Sequence, residues 1–230
     1  MRSRGKKYIE ALKTVNSKTS YPLEKAVSLL KDSSYAKFDA SVDLAINLGV
    51  DPRHADQNVR GSAVLPKGLG KKVRVVVFAK GEKAVEAKKL GVEYVGAADL
   101  AEKISEGWLA FDKIIATPDM MPVVGKLGKI LGPRGLMPNP RVGSVTVDVV
   151  NAINVAKSGC AEFKVDKAGV VHTNIGKVSM DSSAIKENVD AVLDAVLKVK
   201  PSSSKGRYIK KMHLSATMGP SIAVDIADFI

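Results

Sequence analysis

Phe38-Asp-Ala-Ser-Val-Asp-Leu-Ala-Ile-Asn-Leu48 carries an apolar side chain at every second position. That is the period of a strand with one buried face and one open face. Val73-Arg-Val-Val-Val-Phe-Ala79 follows a different rule: it is apolar throughout except at Arg74, as expected of a strand covered on both faces. One chain therefore holds two kinds of sheet.

The open style surrounds the closed one. Before Phe38 the pattern predicts a short helix over residues 8–15 behind a cationic arm from Arg2 to Lys7. A second helix follows Pro22, with Leu23, Ala26, Val27 and Leu30 on one face. A strand over 57–65 is expected to pair with 38–48. After Ser158-Gly159 the alternation returns as a hairpin, 161–165 with 170–175, turning at Asp166-Lys-Ala-Gly169. An amphipathic helix over 182–199 stops at Pro201, and strands at 208–216 and 222–226 flank Thr217-Met-Gly-Pro220.

Between Pro66-Lys-Gly-Leu-Gly70 and Ser158, strands at 73–79, 94–95 and 111–116 alternate with helices at 81–90, 99–106 and 147–157. That order implies a small parallel, Rossmann-like sheet. The expected fold is mixed α+β in the α/β class. An open α+β sandwich domain is built from 1–67 plus 160–230, with an α/β domain, 68–159, inserted. Connections at 66–70 and 157–159 would form a hinge.

The 230 residues carry a formal charge of +12, a sequence pI of about 9.6 and a single cysteine, Cys160. Residues 68–159 hold 14 Lys and Arg against 9 Asp and Glu, the flanking segments 22 against 15, so both parts are basic. Such a balance concerns partners, with nucleic acid or an anionic membrane surface the usual counterparts. No apolar run reaches bilayer length and no signal core precedes the first helix, so a cytoplasmic protein without a membrane partner is expected. One cysteine builds neither a disulfide framework nor a thiolate metal site.

Catalysis has thin support. His54, His172 and His213 are scattered without ligand spacing, and Cys160 has no orienting base in sequence. No cofactor and no metal is expected. A phosphate-handling enzyme is the rival reading, but both fingerprints fail. Lys80-Gly-Glu-Lys83 supplies one glycine where a dinucleotide loop needs three, and Gly125-Lys126 is followed by Leu127 rather than Ser or Thr.

Residues 123–143 read Val-Val-Gly-Lys-Leu-Gly-Lys-Ile-Leu-Gly-Pro-Arg-Gly-Leu-Met-Pro-Asn-Pro-Arg-Val-Gly. The prolines and glycines shape this loop, and Lys126, Lys129, Arg134 and Arg141 stand in it with no carboxylate. Its Gly-x-x-Gly spacing matches the clamp by which KH domains hold single-stranded backbone, a weak motif taken alone. A polyanion is the expected counterpart, and a general RNA chaperone is a further alternative. The chain ends offer another surface. Phe38 or Met218 can pack on an exposed base or ribose, Thr217 can bond a 2′-hydroxyl, and Gly219 allows close backbone approach. Lys37 with Asp166 and Lys167 would complete a mixed face.

These stretches together resemble the large-subunit ribosomal protein L-one family, of bacterial type. The matching segments are Lys37-Phe38 with Val42-Asp-Leu-Ala-Ile-Asn-Leu48, Asp56-Gln-Asn-Val-Arg-Gly61, and the loop containing Leu131-Gly-Pro-Arg-Gly-Leu-Met-Pro-Asn139. Asp166-Lys-Ala-Gly169, His172, Ile175-Gly-Lys177 and Thr217-Met-Gly-Pro220 complete the series in family order. The resemblance implies a two-domain protein of the 50S-type subunit, whose discontinuous domain holds the rRNA of the mobile stalk. It implies help in releasing deacylated tRNA from the exit site, and repression of its own operon mRNA. Carried over by position, Phe38 and Ser41 join Thr217, Met218 and Gly219 on the RNA surface, with Lys37, Asp166, Lys167 and His172 nearby. Ser41 stands where many members have Thr, Ala40 and Ala216 where polar residues are expected, and Lys164 where Arg is commoner.

Overall fold

The computed structural model describes residues 5–16, 19–204 and 206–226. Arg2 and Arg4 of the expected cationic arm lie outside the described residues. The fold is mixed α/β, and the chain divides into two compact units, residues 1–70 with 161–230 and residues 71–160.

In the first unit, α1 (Lys6–Lys13) and α2 (Leu23–Asp32) precede β1 (Ser41–Leu48), a short 3-10 turn (Ala55–Gln57) and β2 (Arg60–Val64). The stripe Leu23, Ala26, Val27 and Leu30 is buried on α2, as its spacing requires. β1 is a central strand, and its alternation buries Val42, Leu44, Ile46 and Leu48.

In the second unit, β3 (Val75–Phe78), α3 (Glu82–Lys89), β4 (Tyr94–Gly96), α4 (Ala98–Ser105) and β5 (Lys113–Ala116) form a parallel sheet of order β4-β3-β5. α5 (Met121–Lys126), α6 (Gly128–Leu131), a 3-10 turn (Pro140–Val142) and α7 (Val149–Gly159) follow. Along β3, Val76 and Phe78 pack into one apolar cluster with α4, α5 and α6. Val75 and Val77 pack into a second with α3 and α7. A strand coated on both faces thus reads as continuous apolar sequence because each parity has its own core.

The chain then returns through β6 (Cys160–Lys164), β7 (Val170–Lys177), α8 (Ser182–Lys198), β8 (Ile209–Ala216) and β9 (Ser221–Val224). The first unit's main sheet is antiparallel, ordered β7-β1-β8-β9. α2 and α8 pack against it through the apolar parity of β1, and the other parity, from Asp43 to Asn47, is open or half-open.

Four expectations need correction. β1 starts at Ser41, and Phe38, expected on its buried face, is 56% exposed while Ala40 is 1% exposed. β2 does not pair with β1, because β7 and β8 occupy both edges of β1; its partner is β6. β6 and β7 are accordingly not a plain hairpin. They touch through a bridge at Val165 and Val171, then diverge into different sheets. Finally, residues 123–143 are only partly loop. Val124, Leu127 and Leu131 recur at helical spacing, all buried, and draw the segment into α5 and α6.

Candidate nucleic-acid interface

The end of β8 and the start of β1 meet at a corner. Ala216 pairs with Val42, and the next residue, Thr217, extends the ladder by side chain as well as backbone. Its N–H donates to the Ser41 carbonyl at 2.9 Å. Its Oγ1 accepts from the Ser41 N–H at 3.1 Å and donates to the Ser41 carbonyl at 3.3 Å. The hydroxyl expected to reach a ribose is therefore engaged in holding two chain segments together.

The following turn closes with the Gly219 N–H on the Ala216 carbonyl at 2.8 Å. Met218 takes φ +68°, the one described non-glycine residue in the left-handed region. An L side chain there costs about 1–2 kcal/mol, and the Tyr35 hydroxyl, donating to the Met218 carbonyl at 2.6 Å, restrains it. Gly219 is closely packed: a Cβ would stand 3.2 Å from the Ala216 carbonyl oxygen, so a larger residue needs that turn to give by a few tenths of an ångström. The outcome is an outward thioether, with Met218 64% exposed, and an outward ring at Phe38.

Polar groups cluster at the start of β1. Lys177, opposite Ser41 across the β1–β7 ladder, donates through Nζ to Ser41 Oγ at 3.0 Å and to the Asp39 carbonyl at 3.2 Å. Ser41 Oγ thus accepts from an ammonium and keeps its own proton for an outside acceptor. Asp39 is held by the Ser179 N–H and hydroxyl at 3.2 and 2.9 Å. Lys37 is exposed beside Phe38. The corner offers an aromatic face, a thioether, a hydroxyl donor and lysines, the mixture that single-stranded or looped RNA engages by stacking and ribose contact.

Asp166 and Lys167 are elsewhere. Ser41 pairs with Lys177, whereas Asn47 pairs with Val170 and Leu48 donates to Gly169. The 166–169 turn therefore lies at the far end of β1, roughly 23 Å along the strand from Ser41. His172, opposite Ala45, stands between, with Nε2 3.8 Å from Asp166 Oδ2. The single mixed face expected from Lys37, Asp166 and Lys167 is two separate patches. Asp166 shapes its own turn, accepting the Val170 and Ala168 N–H groups at 2.9 and 2.8 Å. The Val170 bond chiefly holds its carboxyl below the ordinary value, with burial opposing.

On the second unit, Lys126, Lys129, Arg134 and Arg141 are all exposed. Lys126 ends α5 and Lys129 lies in α6, so the Gly-x-x-Gly clamp expected at Gly125 and Gly128 is helical. The Asn139 side chain accepts the Arg141 N–H at 2.8 Å and starts the turn that ends at Gly143, φ +79°.

Neither Tyr35 nor Lys177, the latter part of the matching Ile175-Gly-Lys177, lies on a periodic stripe or at a turn that would mark its role. No helix among the described residues is long and apolar enough to cross a membrane. Among the same residues no three His, Cys, Asp or Glu side chains are grouped to hold a metal ion.

Fold and site together define a basic, two-unit α/β protein of the nucleic-acid-binding class. The chain belongs to the ribosomal protein L1p/L10e family, whose profile matches residues 30–220. It is a structural ribosomal protein that binds rRNA. The matched span includes Tyr35, Phe38 and Ser41 near its start and Thr217, Met218 and Gly219 at its close.

Proposed function

We propose that the corner made by Phe38, Ser41, Thr217, Met218 and Gly219 is the specific rRNA site, and that the chain uses it to form the mobile stalk of the large subunit. The observation that carries this is the strained, exposed Met218, fixed by Tyr35 and by the Thr217–Ser41 bonds, with Phe38 exposed three residues before Ser41. Strain held by surrounding structure points to use. The chain acts by binding rather than by catalysis.

Phosphate contacts from Lys37 supply affinity that falls with salt, and the turn at 166–169 with His172 lies on a second patch along the same RNA. The cations of the 126–141 segment face a second nucleic acid, the deacylated tRNA leaving the exit site. An mRNA segment that reproduces the stalk structure binds the same corner, so the chain represses its own operon.

Titration of stalk rRNA fragments at several salt concentrations tests the reading. Tight binding to one fragment, weakened by about 1–3 kcal/mol on Met218→Ala, supports it. Equal binding to every RNA, or loss confined to Arg134→Ala, overturns it.

A further inference from the structure

In a chain of net charge +12, the groove between α2 and α8 is acidic. Its volume is about 560 Å³, within the range of ligand pockets, roughly 300–1,000 Å³. Leu193 and Leu197 line it with Glu24, Asp190, Asp194 and Lys186. Lys186 Nζ sits 2.8 Å from Glu24 Oε1 and also acts electrostatically on Asp190. Asp190 and Asp194 lie one helical turn apart on the same side of α8, and neither makes a hydrogen bond or salt bridge among the described residues. Burial raises the Asp190 carboxyl above its ordinary value. Lys186 opposes this, while Asp194 and Glu187 add repulsion. Leu197 leaves 39% of its surface uncovered.

RNA is the wrong occupant, because its phosphates would meet Glu24, Asp190 and Asp194, answered among the lining residues by Lys186 alone. An apolar floor under an acidic rim is complementary to a polypeptide with apolar side chains on one face and cations beside them. We propose that this groove docks a lysine- or arginine-bearing amphipathic segment of another protein. Its apolar side chains lie on the partly exposed Leu197, over the buried Leu193, and a cation sits between Asp190 and Asp194. The surface shares no residue with the Thr217 corner and stands whether or not that corner binds rRNA.

The test uses the full chain and a fluorescein-labelled helical peptide with leucines on one face and lysines flanking them, read by anisotropy. Saturable, salt-sensitive binding is expected, weakened at least about tenfold by the double variant Asp190→Asn/Asp194→Asn. Leu197→Ser, at a half-open position, should weaken it too, and the same peptide with acetylated lysines should not bind. Affinity for stalk rRNA should be unchanged in both variants. Absence of saturation, equal binding by the double variant, or displacement of the peptide by stalk rRNA overturns the proposal.

Discussion

The Tyr35 hydroxyl donates to the Met218 carbonyl across 183 positions of sequence, at 2.6 Å. One end of the bond is the approach to β1, the other a residue whose backbone is left-handed. Tyr35→Phe removes the donor and keeps the ring. The expected result is a loss of about 1 kcal/mol in stalk rRNA binding, five- to tenfold in Kd. The urea midpoint should shift little, because the bond is partly solvent-exposed. Filter binding and urea titration on the same preparation check both halves.

Thr217→Val keeps the shape and removes the hydroxyl that serves Ser41 twice. The Ser41 N–H then has no partner, a cost of about 1–3 kcal/mol in stability. Thr217→Ser should recover most of it. A denaturation series over the three proteins distinguishes the hydroxyl from packing.

Phe38→Ala should behave oppositely. The ring is mostly exposed, so stability changes by less than about 0.5 kcal/mol. Stalk rRNA binding should fall by about 1–3 kcal/mol if a base stacks on the ring. Unchanged binding would remove Phe38 from the site.

How far was this legible in sequence? The α2 stripe and the two-parity burial of β3 follow from period alone, and both are found. Partners do not follow from period. Nothing local in 60–64 distinguishes β6 from β1 as its neighbour, and Phe38 keeps the parity of the buried face although the strand begins only at Ser41. At the corner, residue types were legible but their employment was not. Thr217 reads as a donor for RNA, yet its hydroxyl is engaged by a residue 176 positions away. Asp166 and Lys37 read as neighbours because both are polar ends of strands, and only register separates them.

Asn188 is wholly buried in α8. Its Oδ1 accepts the Lys67 N–H at 3.2 Å, and its Nδ2 donates to the carbonyls of Gly68 and Ile175 at 2.9 and 2.8 Å. Asn188→Leu leaves three backbone groups without partners and should cost about 3 kcal/mol or more. Hydrogen exchange should show residues 67–68 opening first.

His213 gives a pH signature. Burial, and then Lys211, lower its imidazole below the ordinary 6.5. The unfolded chain takes up a proton near that value while the folded chain resists it. The stability associated with neutral His213 is thus complete above 6.5 and is lost as the pH falls through the lowered folded value. His213→Gln should flatten the urea midpoint between about pH 7 and 5 relative to the parent chain.

The corner is assembled from residues 35–41 and 216–219, with residues 71–160 forming a separate unit between them. During synthesis the chain emerges in order, and units tend to fold as they appear. The inserted unit can be complete while the corner is still half made. A nascent or prematurely terminated chain that lacks β8 carries Phe38 and Ser41 but not the turn that gives them their partner. On the proposed reading such a fragment lacks half of the RNA surface, so occupancy of stalk RNA would report finished chains rather than translation in progress.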